Sequence, residues 1–143
     1  MQLNTYKSFG DLVNTGHLSS DVNYYFSTAL RTLDDLLVEE EIKHFYVKNP
    51  FSSELNNMEM IIFLDQTIFI INLTKDSTNI TSVKLNKVDK VELCVKETEF
   101  REVVLTIHIN GEKPLILNSL EDSNHNRNPK YAENIKKIFK FLS

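Results

Sequence analysis

From Glu41 onward the chain falls into short strand-like blocks, some alternating apolar and polar and some apolar throughout, and only the last block changes to a helical spacing. The blocks are Ile42–Val47, Met58–Leu64, Thr67–Leu73, Ile80–Leu85, Val88–Val95, Val103–Ile109 and Leu115–Leu117. Period-two alternation is the mark of strands, so these seven blocks predict seven strands. In Val88–Val95, the residues Val91, Leu93 and Val95 share one face, and Glu92, Cys94 and Lys96 the other. Asp65-Gln66 between the second and third blocks predicts a tight hairpin. Asn110-Gly111 is the clearest hairpin signal, because both residues tolerate the positive φ of a type I′ turn. A two-residue loop there pairs Ile109 with Glu112 and Thr106 with Leu115. Leu115 and Leu117 would then lie opposite the Val103, Leu105 and Ile107 face. The runs Ile61–Leu64 and Ile68–Ile71 are apolar on both faces, whereas a sheet with one wet face alternates. A cover over the outer surface is therefore expected.

Ahead of the strands the spacing predicts two helices. The first, Ser8–Val13, is short and can end at Gly16. Ser19, Ser20 and Asp21 offer caps for the second. Val22, Tyr25, Phe26, Ala29, Leu30, Leu33, Leu36 and Leu37 then form an apolar stripe at helical spacing. Glu39-Glu40-Glu41 opposes the helix dipole and predicts a stop nearby. This helix is the expected lid over the sheet, with a partner subunit as the alternative. After the strands, Asn128-Pro129 reads as a helix start, followed by the buried stripe Tyr131, Ile135, Ile138, Phe139 and Leu142.

Size and charge narrow the classes. At 143 residues the chain is expected to be a single domain, 1–143, with a helical extension over 1–40 and the strands and last helix over 41–143. Residues 1–40 carry six acids and two bases; residues 41–143 carry fourteen of each, so the net charge of −4 belongs to the N-terminal quarter. No strong positive field is present to attract nucleic acid or anionic lipid. Lysine outnumbers arginine 13 to 3, a bias that fits an AT-rich genome such as that of a low-GC bacterium or its phage. The opening MQLNTYKSFGDL has no basic start followed by an apolar block, so no secretory leader is expected. The lone Cys94 excludes an internal disulfide and suits a reducing cytoplasm.

Seven antiparallel strands closed by one C-terminal helix resemble the pleckstrin-homology-like fold, in particular its small bacterial versions. MIIFLDQTIFIINL reads like their second and third strands, and SVKLNKVDKVEL like their fourth and fifth. The whole chain also looks similar to a small bacterial family of unknown function. The resemblance implies an α+β fold: a seven-stranded, strongly bent antiparallel sheet or open barrel, capped by the C-terminal helix and preceded by the helical extension. Lipid-binding members of that fold use basic residues in the first interstrand loop. Here the loop Lys48–Asn57 holds one Lys and one Glu, so phosphoinositide binding is not expected to carry over.

The residues themselves offer little chemistry. Asp122, Asn124, Asn126, Asn128 and Glu133 fall at calcium-loop spacing, but Arg127 stands where the turn glycine belongs and Pro129 follows, so a polar loop capping the last helix is expected. His17, His44, His108 and His125 share no metal-ligand spacing with one another or with Cys94. Cys94, in mid-strand, is expected to be a packed and inert thiol. The one stretch mixing aromatic and basic residues, Lys43–Lys48, reads as a half-buried strand rather than a nucleic-acid platform. The sequence therefore predicts no catalytic, cofactor or metal residue and no enzyme. What it predicts is a non-catalytic module for a protein or peptide partner, self-association included, with nucleic acid excluded and membrane lipid not expected. A membrane-surface module and an enzyme with a dispersed site are the alternatives. The resemblance implies the docking place: domains of this fold type accept peptides at a sheet edge and in the groove beside the C-terminal helix, here bordered by strand Val88–Val95 and helix Tyr131–Leu142.

Overall fold

The computed structural model describes residues 3–52, 58–97, 101–124 and 126–143. The chain divides into two compact units, Met1–Val83 and Lys84–Ser143.

The first unit opens with helix α1, Tyr6–Asn14. The Thr5 hydroxyl caps it by accepting from the Ser8 N–H at 3.1 Å. The chain turns out at Gly16, whose φ of 72° suits a residue without a Cβ and whose N–H donates to the Val13 carbonyl. Helix α2, Ser20–Leu36, buries Val22, Phe26, Ala29, Leu30 and Leu33. The buried stripe is narrower than expected. Tyr25 is half-buried, and at the end of the helix Leu36 is exposed and Leu37 half-buried. Glu39–Glu41 then form a 3₁₀ turn outside it, which keeps their charge off the negative end of the dipole.

Strands β1 (His44–Lys48), β2 (Glu59–Phe63), β3 (Thr67–Leu73) and β4 (Thr78–Lys84) follow, in the spatial order β1-β2-β3-β4. Phe45 pairs with Ile62 and Ile62 with Phe69; Val47 pairs with Met60 and Met60 with Ile71. These residues share one face, and the helices cover it. Phe9 meets Phe26 edge-on at 5.0 Å and Phe45 at 5.5 Å, and Tyr6 meets Phe45 at 5.9 Å. On the opposite face Tyr46, Ile61, Phe63 and Ile68 are buried as well. The doubly apolar strands thus have both faces out of water, as their sequence requires, and α1 and α2 supply the cover on the Phe45 side. The Asp65-Gln66 turn closes tightly, with the Leu64 N–H donating to the Thr67 carbonyl at 2.8 Å.

The second unit holds β5 (Val88–Lys96), β6 (Glu102–Ile109), β7 (Leu115–Asn118) and helix α3 (Asn128–Leu142). Its sheet has the order β5-β6-β7 and α3 packs against all three strands. Both sheets are antiparallel. Where a seven-stranded bent sheet or open barrel with a C-terminal helix was expected, the α+β fold has, among the described residues, seven antiparallel strands in two sheets, of four and three, with the C-terminal helix in place. The break follows β4, where Leu85–Lys87 form a 3₁₀ turn and the Lys87 carbonyl accepts from the Asn110 N–H at 2.8 Å. The chain leaves β4 there and enters β5 already paired with β6.

The β6–β7 register also differs from expectation by one residue. Leu115 pairs with Ile107 and Leu117 with Leu105. Positive φ occurs at Gly111 (80°) but not at Asn110, so the turn is not type I′; the Glu112 N–H closes it onto the Ile109 carbonyl at 3.1 Å. Lys113 and Pro114 lengthen the return before β7 begins. The one-residue shift moves Leu115 and Leu117 onto the buried face with Val103, Leu105, Ile107 and Ile109, and turns Ile116 outward. The second hairpin is thus apolar on one face only. Among the described residues no helix is long and apolar enough to cross a membrane.

Candidate functional site

Strand β5 lies at the edge of the second unit's sheet, and the direction of its backbone groups follows from its neighbours. The Val103 carbonyl accepts from the Ser119 N–H, and the Val103 N–H donates to Ser119 Oγ, both at 2.9 Å. The Val103 backbone therefore faces β7. Antiparallel alternation turns the next residue, Val104, toward β5, where its pair is Cys94. Cys94 thus spends its N–H and C=O on β6. Leu93 and Val95 turn theirs outward from the edge, and Val91 does the same two residues earlier. A strand so placed is a template for another extended chain.

The side chains along this edge divide by face. Val91, Leu93 and Val95 pair with Ile107, Leu105 and Val103 on the face that α3 helps to bury, yet Val91 and Leu93 are only half-buried and Val95 is 39% exposed. On α3, Tyr131, Ala132, Ile135 and Ile138 are buried, while Phe139 and Leu142 remain half-exposed. The groove expected between strand and helix is therefore an edge with a partly exposed apolar border. Burial, followed by the charge of Asp122, holds the Tyr131 phenol above its ordinary range, so the ring serves as an uncharged wedge.

The other face of β5 is charged. His108 Nε2 lies 2.5 Å from Glu92 Oε1, and Lys90 Nζ lies 3.6 Å from it. The His108 hydrogen bond first, then the Lys90 charge, holds the Glu92 carboxyl below the usual carboxylate range. Lys96 pairs with Glu102 at 2.9 Å, and Asn118 Nδ2 donates to the same carboxylate. That pairing lowers Glu102 and raises Lys96. Cys94 stands between these pairs and is exposed, which corrects the expectation of a packed thiol. Period-two alternation assigned its face correctly; the face is open because Cys94 sits on an edge strand opposite Val104.

The calcium-like pattern is taken apart by the corner between β7 and α3. Asp122 is buried and accepts from the Asn118 N–H at 2.8 Å, while Asn118 Oδ1 accepts from the N–H groups of Leu120 and Glu121. Asn124 Oδ1 accepts from the Arg127 N–H, and Asn128 Nδ2 donates to the Arg101 carbonyl at 2.6 Å. Glu133 pairs with Lys137 on the exposed side of α3. These side chains hold the turn and the start of the helix, the role expected of a polar loop. Among the described residues no group of three or more His, Cys, Asp or Glu is placed to hold a metal. His125 lies outside the described residues.

In the first unit, Lys48 pairs with Glu59 at 3.4 Å, both partly buried, so the one lysine of the first loop is already engaged. Glu54 and the rest of 53–57 lie outside the described residues. Phe45, Tyr46 and Val47 are buried, in keeping with a strand reading of Lys43–Lys48. His17 is an exposed loop residue. His44 lines a cavity of about 150 Å³ together with Thr5, Tyr6, Lys43 and Phe45. Sequence reasoning missed this cavity, since Thr5 and His44 carry no shared spacing. It is small for a cofactor, whose pockets run to ~300–1,000 Å³, and Tyr6 turns its hydroxyl away to Asp34 at 2.6 Å.

The chain matches no protein-family model, no curated protein and no solved structure.

Proposed function

We propose that this chain is a non-catalytic protein-binding module of a bacterial cytoplasm, which takes an extended segment of its partner along the outer edge of β5. The observation that carries this reading is the outward direction of the Val91, Leu93 and Val95 backbone groups on a nine-residue edge strand. Main-chain hydrogen bonds to such an edge supply affinity, and alternate side-chain contacts supply selectivity. The half-exposed Leu93 and Val95, with Phe139 and Leu142 of α3, offer the apolar contacts. The element order of a four-stranded sheet, a three-stranded sheet and a C-terminal helix supports reading the fold as pleckstrin-homology-like. The engaged Lys48 and the exposed acids of the 1–40 segment weigh against the lipid-binding use of such a fold.

Val95→Pro tests the proposal. Its N–H points outward, so proline removes an edge donor without touching the β5–β6 ladder, and edge strands tolerate such a proline. The variant is expected to stay folded by circular dichroism and to lose the partner retained by the wild-type chain in affinity capture. Cys94→Pro, which removes a ladder donor, is expected to lose the fold. Equal capture of one saturable partner by the wild type and Val95→Pro would remove β5 as the binding edge.

A further inference from the structure

Resting on the edge reading above, we propose that the segment filling the β5 edge comes from a second copy of this chain. The two β5 strands run antiparallel about a two-fold axis through Cys94. The outward backbone of Leu93 and Val95 limits the geometry. A two-fold axis normal to the merged sheet places like faces together, so it must pass through a residue of β5 rather than between two.

Charge decides which residue. An axis through Glu92 sets Glu92 against its own copy. An axis through Lys90 does the same with Lys90. An axis through Leu93 sets Lys90 against Lys96 twice. Each of these opposes like charges directly, which is unfavourable. An axis through Val91 pairs Lys90 with Glu92, but it runs into the irregularity between Val88 and Lys90 that interrupts the strand. An axis through Val95 sets Lys96 against Cys94 and Glu97 against Leu93, so it matches no opposite charges. The axis through Cys94 avoids these faults. It sets Glu92 against Lys96 twice, Leu93 against Val95 twice, and Cys94 against Cys94 at the centre.

The side chains concerned are available. Glu92 and Lys96 are 57% and 53% exposed, Val95 is partly exposed and Cys94 is exposed. His108 occupies one oxygen of Glu92, and a carboxylate has lone pairs on both. Lys96 keeps Glu102 with one of its three ammonium donors. The backbone agrees as well. Leu93 and Val95 form the hydrogen-bonded pair across the axis, and Cys94 the non-hydrogen-bonded pair, with Cα atoms about 4.5 Å apart. Natural edges carry charges that repel a neighbour; at this axis the charges attract a copy. Five residues from each strand make a small interface, so the dimer is weak and forms on concentration.

The test is sedimentation equilibrium from micromolar to millimolar protein, on the wild type, Val95→Pro, Glu92→Lys, Lys96→Glu and the double exchange. The wild type is expected to dimerise. Val95→Pro is expected to stay monomeric, each single charge variant to weaken the dimer by about tenfold or more, and the double exchange to restore it. Diamide, reduced to the hydrazine as two thiols join, is expected to link wild-type chains through Cys94, the one cysteine present, faster than it links Glu92→Lys. A wild type monomeric throughout overturns the second-copy proposal, and the edge reading then stands or falls on capture with Val95→Pro. A dimer abolished by Val95→Pro but not restored by the double exchange overturns this register alone. A dimer indifferent to every variant overturns both.

Discussion

Leu30→Asp places a carboxyl at a position that is 7% exposed on the buried face of α2. The Tyr6 hydroxyl reaches the Leu30 carbonyl at 3.4 Å and Asp34 Oδ1 at 2.6 Å, so the surroundings already hold one acid. Losing a buried leucine side chain costs about 1.5–3 kcal/mol. Burying a polar group without a partner adds about 1–3 kcal/mol. The sum is about 2.5–6 kcal/mol, well beyond an ordinary surface substitution. Leu36→Asp makes the same chemical change on the same helix where the side chain is 58% exposed, and should cost within about 0.5 kcal/mol. Urea unfolding followed by far-ultraviolet circular dichroism separates the two. With a slope of about 2 kcal/mol per molar urea, Leu30→Asp should bring the midpoint down by about 1–3 M while Leu36→Asp leaves it in place. Equal midpoints for the two variants would mean that α2 does not bury this face, and the packing of the first unit would have to be redrawn.

Tyr6→Phe should cost about 1–2 kcal/mol by removing the hydrogen bond to Asp34. Burial first, then that hydrogen bond, holds the Tyr6 phenol above its ordinary value of 10.0, so its contribution is complete below that pH and is lost as pH rises through the raised folded value. Urea midpoints taken at neutral pH and near pH 11 should therefore fall less steeply for Tyr6→Phe than for the wild type; parallel falls would refute the assignment. Gly111→Ala should destabilise by about 1 kcal/mol because a φ of 80° is costly for any residue with a Cβ. Gly10→Ala, in helix α1 with nothing within 4 Å of the added carbon, should stabilise by about 0.5–1 kcal/mol. Thermal melts of the two variants should therefore move in opposite directions, and a shared direction would count against the backbone assignment at one of them.

Local pattern carried most of the elements. Thr67–Leu73 coincides with β3, and Asn128-Pro129 opens α3 with proline in its first turn. Gly16 ends α1, because a cap needs only the residue that can adopt it. What alternation cannot convey is which strand lies beside which. Thr78–Lys84 and Val88–Lys96 are consecutive strands with compatible faces, and only the 3₁₀ turn at Leu85–Lys87, which has no periodic signature, separates their sheets. The β6–β7 register failed for a similar reason. Asn110-Gly111 permits a type I′ turn without requiring it, and the positive φ falls on Gly111 while Asn110 has none. The candidate edge was half legible. The faces of β5 were readable residue by residue, but the exposure of Cys94 and the outward amides of Leu93 and Val95 depend on β5 having β6 as its one strand neighbour among the described residues. That is a property of the assembled sheet.

Amide hydrogen exchange along β5, resolved residue by residue by nuclear magnetic resonance, tests the open edge most directly. In dilute protein the Glu92 and Cys94 amides, which face β6, should exchange slowly, and those of Leu93 and Val95 should exchange fast. On concentration, or with a captured partner added, the Leu93 and Val95 amides should become protected while Glu92 and Cys94 stay as they were. Leu93 and Val95 amides already slow in dilute protein, or fast whatever is added, would contradict the claim that β5 is an open, binding edge.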